Sequence, residues 1–421
     1  MRFSRFASFS PSLLPLVLLA CGGDGIPGYT QIVTGGNHSC GRRGTGEVEC
    51  WGSNLSGRLG NPQAGPESNR PVRVVLPPEA GEPLDLACGG AHTCAVGQNG
   101  QAYCWGSQIG NQLGNSSVTG SSDVPVLVNG PSGAAALQNV RTIDAGLGHS
   151  CAALGDGSVY CWGSNSKGQL GNPVVAIATL SAGPVAVLQE GGGELREVSD
   201  VCTAAEHSCA LKENGAVFCW GWNNLGQLGN PAQSAETAAV AQAVAGFDGS
   251  APSARATFLR CKGSHSCAIT EEGKVRCWGG NFNGQLGSPA LGQATQSATP
   301  VSVVDVSGSG ELGNVRWLAT GNSHSCAALN DGRAVCWGSN LYSKLGNTAL
   351  SGESSPTPVV ALRAIGELRN IEVVATGTDH SCALDRSGRA WCWGRNTAGQ
   401  LGDGSNIDRP TAVLVTDPLN P

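Results

Sequence analysis

The sequence predicts an all-β fold, a seven-bladed β-propeller of four-stranded blades whose ring is closed by the C-terminal strand. Three observations carry this expectation. One phrase recurs seven times, clearest as Gly148-His149-Ser150-Cys151-Ala152-Ala153-Leu154, then Gly157, Cys161-Trp162-Gly163, Asn165 and Gln169-Leu170-Gly171. Its histidines, His38, His92, His149, His207, His265, His324 and His380, are all seven in the chain and recur every 54 to 59 residues. Trp51, Trp105, Trp162, Trp220, Trp278, Trp337 and Trp393 each follow a histidine by thirteen residues. Finally, 63 Gly, one Met and 13% charged residues suit short strands and turns rather than helices. A repeat of this length is a blade, a small sheet that cannot bury its faces alone and so stacks on copies of itself.

Ahead of the repeats lies an address. Residues 1–20 begin with Arg2 and Arg5 and continue into an apolar run from Leu13 to Leu19. That run is too short to span a bilayer as a stable helix, and it reads as the core of a signal peptide. The tail Leu18-Leu19-Ala20-Cys21 resembles the bacterial lipoprotein signal. That resemblance implies acylation of Cys21, cleavage before it, and stable anchoring by several acyl chains. Gly22, where an Asp would imply retention in the inner membrane, implies a lipoprotein of the outer membrane of a bacterial envelope. The bland alternative is an ordinary secretory signal with an incidental Cys21. Residues 21–28 read as a flexible tether, 29–416 as the propeller and 417–421 as a tail.

Each unit offers four strand candidates, for instance residues 184–188, 198–202, 207–211 and 216–220. The first unit lacks its leading Pro-Val strand, and the last is followed by Arg409-Pro410-Thr411-Ala412-Val413-Leu414-Val415. Joining that strand to the first blade would remove open sheet edges. Ring closure by residues 409–416 is therefore expected.

Cysteines keep the same register. The one after His-Ser or His-Thr is followed ten residues later by the one before Trp-Gly, pairing Cys40 with Cys50, Cys94 with Cys104, Cys151 with Cys161, Cys209 with Cys219, Cys267 with Cys277, Cys326 with Cys336, and Cys382 with Cys392. A three-residue hairpin loop ending at the intervening Gly sets the two opposite each other, at about 4.5–5.5 Å between Cα atoms, within disulfide reach. An exported compartment would preserve such bonds. The rivals are a metal site built on His-x-Cys plus the second Cys, and reduced cysteines packed as small apolar residues. Of the remaining three, Cys202 and Cys261 fall in consecutive blades and could bridge, leaving Cys88 free.

These phrases resemble the repeats of the regulator of chromosome condensation family, Gly-x-x-His-Ser-x-Ala-Leu, Asp-Gly, Trp-Gly-x-Asn and Gly-Gln-Leu-Gly. Departures are local: Arg58 for Gln in the first unit, Gln108 for Asn in the second, and Ser343-Lys344 for Gly-Gln in the sixth. The resemblance implies the propeller fold. From eukaryotic members it implies guanine-nucleotide exchange on a small GTPase. From a secreted propeller similar to this family, which binds β-lactamases, it implies inhibition of a secreted enzyme.

A catalytic group is needed once, whereas the His-Ser-Cys constellation occurs seven times, so a structural role is expected, with each histidine bonding the turn between strands. The Gly-Gln-Leu-Gly segments lack the Lys-Ser or Lys-Thr of a phosphate loop. No cofactor, metal or enzymatic activity is therefore expected. A net charge of −6, more negative once Arg2 and Arg5 are removed, argues against nucleic acid. Function is assigned to the unrepeated rim loops at 115–123, 172–183, 230–258 and 288–299. Special attention falls on the longest, with Pro231, Phe247, Asp248 and Phe258, and on Trp222 as a contact residue. The expected function is a monomeric, lipid-anchored, non-catalytic module that binds a protein or glycan.

Overall fold

The computed structural model describes residues 28–416, apart from 132, 134 and 293; the signal, Cys21 and the C-terminal tail lie outside the described residues. Seven four-stranded antiparallel sheets form the ring. Blades 1 to 7 span residues 29–73, 85–127, 140–186, 198–243, 256–302, 315–360 and 371–414. In blade 4 the strands run outward as Val198–Thr203, His207–Lys212, Val217–Trp222 and Thr237–Ala243. The innermost strands of successive blades pack against one another around the axis.

Two expectations need correction. Strand Arg409–Leu414 does not join blade 1; it pairs with Ala390–Gly394, with Cys392 opposite Val413, as the outermost strand of blade 7. Blade 1 supplies its own outermost strand, Glu67–Arg73. A cyclic repeat reads alike from any starting strand, so spacing alone could not locate the blade boundary. The ring closes by side-on contact, with Tyr29 N–H donating to the Gly388 carbonyl at 2.8 Å and Thr378 N–H to that of Gly35 at 3.3 Å. The outer edges are blunted, and those of blades 4 and 7 also take a short parallel bridge from the preceding connection, Gln189 to Ala241 and Arg363 to Ala412. Pro71, Pro125, Pro184, Pro300, Pro358 and Pro410 sit in six of the seven outermost strands, where a missing N–H costs no ladder bond and discourages pairing with another chain. The exception, Thr237–Ala243, lies inside the segment read as a long loop from 230 to 258. Its alanine-rich sequence lacks the Pro-Val signature that marks five of the other six outer strands.

All seven expected disulfides staple the second strand to the third, with Cα separations of 4.0 to 4.1 Å. Each closes a short loop worth about 3 kcal/mol or less in chain entropy. Cys202–Cys261 links blades 4 and 5, and Cys88 is a buried free thiol.

Because strands alternate in direction, the loops after the first and third strands share one face, which carries the Gly-Gln-Leu-Gly segments. The hairpin turns after the second strands share the other face with the blade-to-blade connections.

Candidate binding face

The repeated side chains join blades rather than act on a substrate. His149 Nε2 lies 2.8 Å from the Ser208 hydroxyl of the next blade, and the pattern continues through all seven blades to His380 and Ser39 at 2.9 Å. The Ser208 hydroxyl donates its proton to the Gln169 carbonyl at 3.0 Å, so the imidazole must donate from Nε2. The partner is thus a hydroxyl of the neighbouring blade, not the turn expected from sequence. Burial lowers the pKa of His92, His149, His207, His265 and His380 to about 3, and holds His38 and His324 well below the usual value. These neutral, enclosed rings are poorly suited to general-base chemistry.

The tryptophans are fully buried and finish the same joint. Trp220 Nε1 donates to the Gln169 carbonyl at 2.8 Å. The closing glycine of Gly-Gln-Leu-Gly leaves room for the ring, since a Cβ on Gly171 (φ 66°) would meet Trp220 Nε1 at 2.8 Å. Gly-Gln-Leu-Gly is therefore the socket for the next blade's tryptophan. The Asn of Trp-Gly-x-Asn braces that socket: Asn165 Oδ1 accepts from Leu170 N–H at 3.1 Å, and Gln108 does the same for Leu113 at 2.8 Å.

Departures from the repeat bury cations near the seams. Lys344 Nζ lies 2.9 Å from Asp379 Oδ1, and Arg58 Nε donates to the Leu55 carbonyl at 2.8 Å. Lys262 was missed in the sequence reading, although it stands where Gly35, Gly89, Gly146, Gly321 and Gly377 precede their histidines by three residues. From blade 5 its ammonium reaches the Thr34 and Cys88 carbonyls of blades 1 and 2, capping the axial channel. Burial lowers its pKa and raises those of Asp144 and Asp200. The Asp200 carboxylate is held by Arg260 at 2.9 Å.

The metal alternative finds two clusters among the described residues, His38, Cys40 and Cys88, and Cys202, Cys209 and Cys261. Every cysteine in them except Cys88 is tied in a disulfide and offers no thiolate.

The rim residues singled out by sequence behave differently from one another. Phe247 is buried against Trp278 and is core rather than contact surface. Phe258 lies on an innermost strand, half-buried against Trp317 at 4.7 Å between ring centroids. Trp222 is half-buried with the Lys167 ammonium 5.4 Å from its ring centroid, so part of it remains available on the Gly-Gln-Leu-Gly face. The larger feature of that face was not recognised from sequence. Leu55, Ile109, Phe282 and Leu341 occupy the same position, four residues after the tryptophan, in blades 1, 2, 5 and 6; with Leu147 they are 48% to 78% exposed. A groove of about 470 Å³ lies beside Leu55, between Gly57 and Pro66 of blade 1 and Asp123 of blade 2. Asp123, Glu236 and Glu353 are exposed on the same rim.

A ring of seven four-stranded blades with one shared structural joint defines the class: a β-propeller with a repeated inter-blade joint. Models of the "Regulator of chromosome condensation (RCC1) repeat" match residues 29–58, 84–112, 140–169, 198–227, 259–285, 318–343 and 371–400, and a second such model matches most of 45–418. The chain belongs to the RCC1 repeat family. It is 27% identical over 389 residues to the Ultraviolet-B receptor UVR8 of Arabidopsis thaliana, covering 91% of this chain and 81% of that one. Among solved structures, human WBSCR16 superposes with a TM-score of 0.73 at 23% identity, covering 88% of this chain and 94% of that one. Yeast RCC1 (Prp20), solved bound to Kap60, superposes with a TM-score of 0.72 at 20% identity, covering 99% and 92%. These two likenesses establish the fold.

Proposed function

We propose that this chain is a lipid-anchored, extracytoplasmic module that binds a protein through its Gly-Gln-Leu-Gly face and performs no chemistry. The observation that carries the reading is the set of exposed apolar tips, Leu55, Ile109, Leu147, Phe282 and Leu341, on one face of a ring whose histidines are buried and neutral. Exposed apolar side chains gathered on one surface mark an interaction site, and apolar anchors within a polar rim suit a protein partner better than a glycan. Yeast RCC1, which shares the fold, was solved bound to a protein, Kap60. Anchoring is argued from the sequence ending at Cys21.

The test places a photo-crosslinking residue at Ile109 or Phe282 of the full chain in its native envelope, with Glu213 on the hairpin face as control. Protein adducts from the first two positions, lost when Leu55 and Leu341 are changed to Asp, are expected. Adducts formed equally from Glu213, or an enzymatic activity that survives removal of these tips, would overturn the reading.

A further inference from the structure

The hairpin face differs from the face just described, and one sector of it combines features that suit a membrane. The connection 361–370 between blades 6 and 7 carries Ile365 at its tip, 85% exposed, with Arg363 and Arg369 to either side. Beside it lies an apolar groove of about 490 Å³ walled by Ile365, Trp391, Ala412, Val413 and Leu414. Arg363 lies at its edge, its Nε donating to the Ile365 carbonyl at 3.1 Å. Arg389 rides 5.7 Å from the Trp391 ring centroid. On the hairpin face of these two blades Arg316 and Arg386 pair with Glu372, Arg333 with Asp331, Arg369 with Glu367 and Arg389 with Asp385, which leaves a surplus of two cations and Arg363 outside those pairs. On the same face of blades 3 to 5, Glu194, Glu197, Glu213, Glu271 and Glu272 pair with Arg196, Lys212, Arg141, Arg255 and Lys274, and Glu190 lies outside those pairs, so there the unpaired charge is acidic.

The chain also enters the ring here. Gly44 N–H donates to the Gly28 carbonyl at 2.9 Å, and Tyr29 N–H to the Gly388 carbonyl in the blade 7 hairpin at 2.8 Å. Gly28, read from sequence as the end of a free tether, is thus packed on the hairpin face. It follows Cys21 by seven positions, and seven extended residues reach at most about 25 Å.

We infer that the hairpin-face sector of blades 6 and 7 rests on an anionic bilayer surface, with Ile365 and Leu414 dipping into the interface and Arg363, at the groove's edge, facing lipid phosphates. This rests on the reading of Cys21 as the lipid-bearing residue. Exposed apolar side chains with a cation at their edge suit interfacial binding to anionic lipid. The ring's other face is then turned away from the membrane and open to a partner, which couples this surface to the binding reading without depending on it.

The experiment uses the full mature lipoprotein, first weighed intact, then placed in vesicles of phosphatidylethanolamine and phosphatidylglycerol or of phosphatidylcholine alone. Amide hydrogen exchange is compared segment by segment. The expected result is exchange about tenfold slower (one decade, near 1.4 kcal/mol) at 363–367 and 411–414 in the phosphatidylglycerol vesicles, with no change at 53–57 or 107–111. Ile365→Asp combined with Arg363→Glu, both at exposed positions, should abolish that protection while leaving the melting temperature unchanged. An acylated protein with no protection in this sector, or with protection on the opposite face, overturns the inference and leaves the anchor standing. An intact mass without acyl chains overturns the anchor and this inference with it.

Discussion

At the seam between blades 4 and 5, His207 reaches the Ser266 hydroxyl at 2.9 Å, Trp278 donates to the Gln227 carbonyl at 3.0 Å, and Cys202–Cys261 ties the innermost strands together. At the seam between blades 1 and 2, His38 reaches Thr93 at 2.9 Å and Trp105 donates to the Arg58 carbonyl at 3.0 Å. There Cys88 holds the register of Cys261, but Val33 holds that of Cys202, and the thiol stays free. The repeated parts set the geometry of every seam. What distinguishes one seam from another is a single unrepeated residue, and the ring answers at the first seam, between blades 1 and 2, with the Lys262 ammonium on the carbonyls of Thr34 and Cys88.

The largest effect should come from acid, which attacks what the seams share. A histidine with an unfolded pKa near 6.5 and a folded value of about 3 takes up its proton only on unfolding across that window. Its contribution to stability is complete above pH 6.5 and is lost as pH falls towards 3, at up to about 1.4 kcal/mol per pH unit. Seven such groups act together. Asp144 and Asp200, whose folded pKa values are raised, act in the opposite sense but are only two. The melting temperature followed by circular dichroism should therefore fall steeply below about pH 6. A melting temperature flat from pH 7 to 4 would remove the histidine ring as the common joint.

The next effect separates the seams. Changing Cys202 and Cys261 together to Ala frees a closed loop of 59 residues, worth about 4 kcal/mol in the chain-entropy account, against about 3 or less for a hairpin pair such as Cys40 and Cys50. Denaturant unfolding under oxidising conditions should rank the two double variants in that order. The reverse order would mean that the inter-blade bond constrains less than its loop length implies.

Conversely, Val33→Cys should make the first seam resemble the fourth. Its register against Cys40, and that of Cys88 against Thr93, match those of Cys202 against Cys209 and Cys261 against Ser266. A new disulfide to Cys88 is expected, with a gain of up to about 4 kcal/mol, reduced by any native-state strain. Peptide mapping without reduction checks the bond. A thiol count that rises by one, with Cys88 still free, would show that the seams are not equivalent.

The blades, the cysteine pairs and the burial of the tryptophans were legible because each depends on spacing along a hairpin, which the sequence displays directly. The blade boundary was not, since any cyclic permutation of a repeat has the same spacing and only pairing chooses Glu67–Arg73 over Arg409–Leu414 for blade 1. The histidine's partner was hidden for a related reason: it lies in the next blade, 55 to 60 residues away in chain order for six histidines and 341 away for His380. The apolar tips at Leu55, Ile109, Phe282 and Leu341 share one register and could have been found by asking which positions inside the repeat vary. The long connections, by contrast, hold Phe247 in the core.

The smallest effect belongs to Lys262, the residue that most sharply separates the two seams. It is the one lysine in a glycine register, and its ammonium is deprived of water while its contacts are carbonyls rather than a carboxylate. Burial lowers its folded pKa, so below its unfolded value near 10.4 the unfolded chain binds the proton more tightly. Stability is penalised while the folded amine stays charged, and should rise with pH from the point where the folded amine loses its proton up to the unfolded value. Lys262→Met keeps the stem that fills the channel mouth and removes the charge, at the expense of the hydrogen bonds to the carbonyls. Replacing a buried charge with an apolar side chain of similar volume is often neutral or stabilising. A change within about 1 kcal/mol at pH 7 is expected, together with a flatter stability profile between pH 7 and 10. A loss of several kcal/mol confined to this variant would instead make Lys262 a strut holding blades 1 and 2 to blade 5, doing across the channel what Cys202–Cys261 does along it.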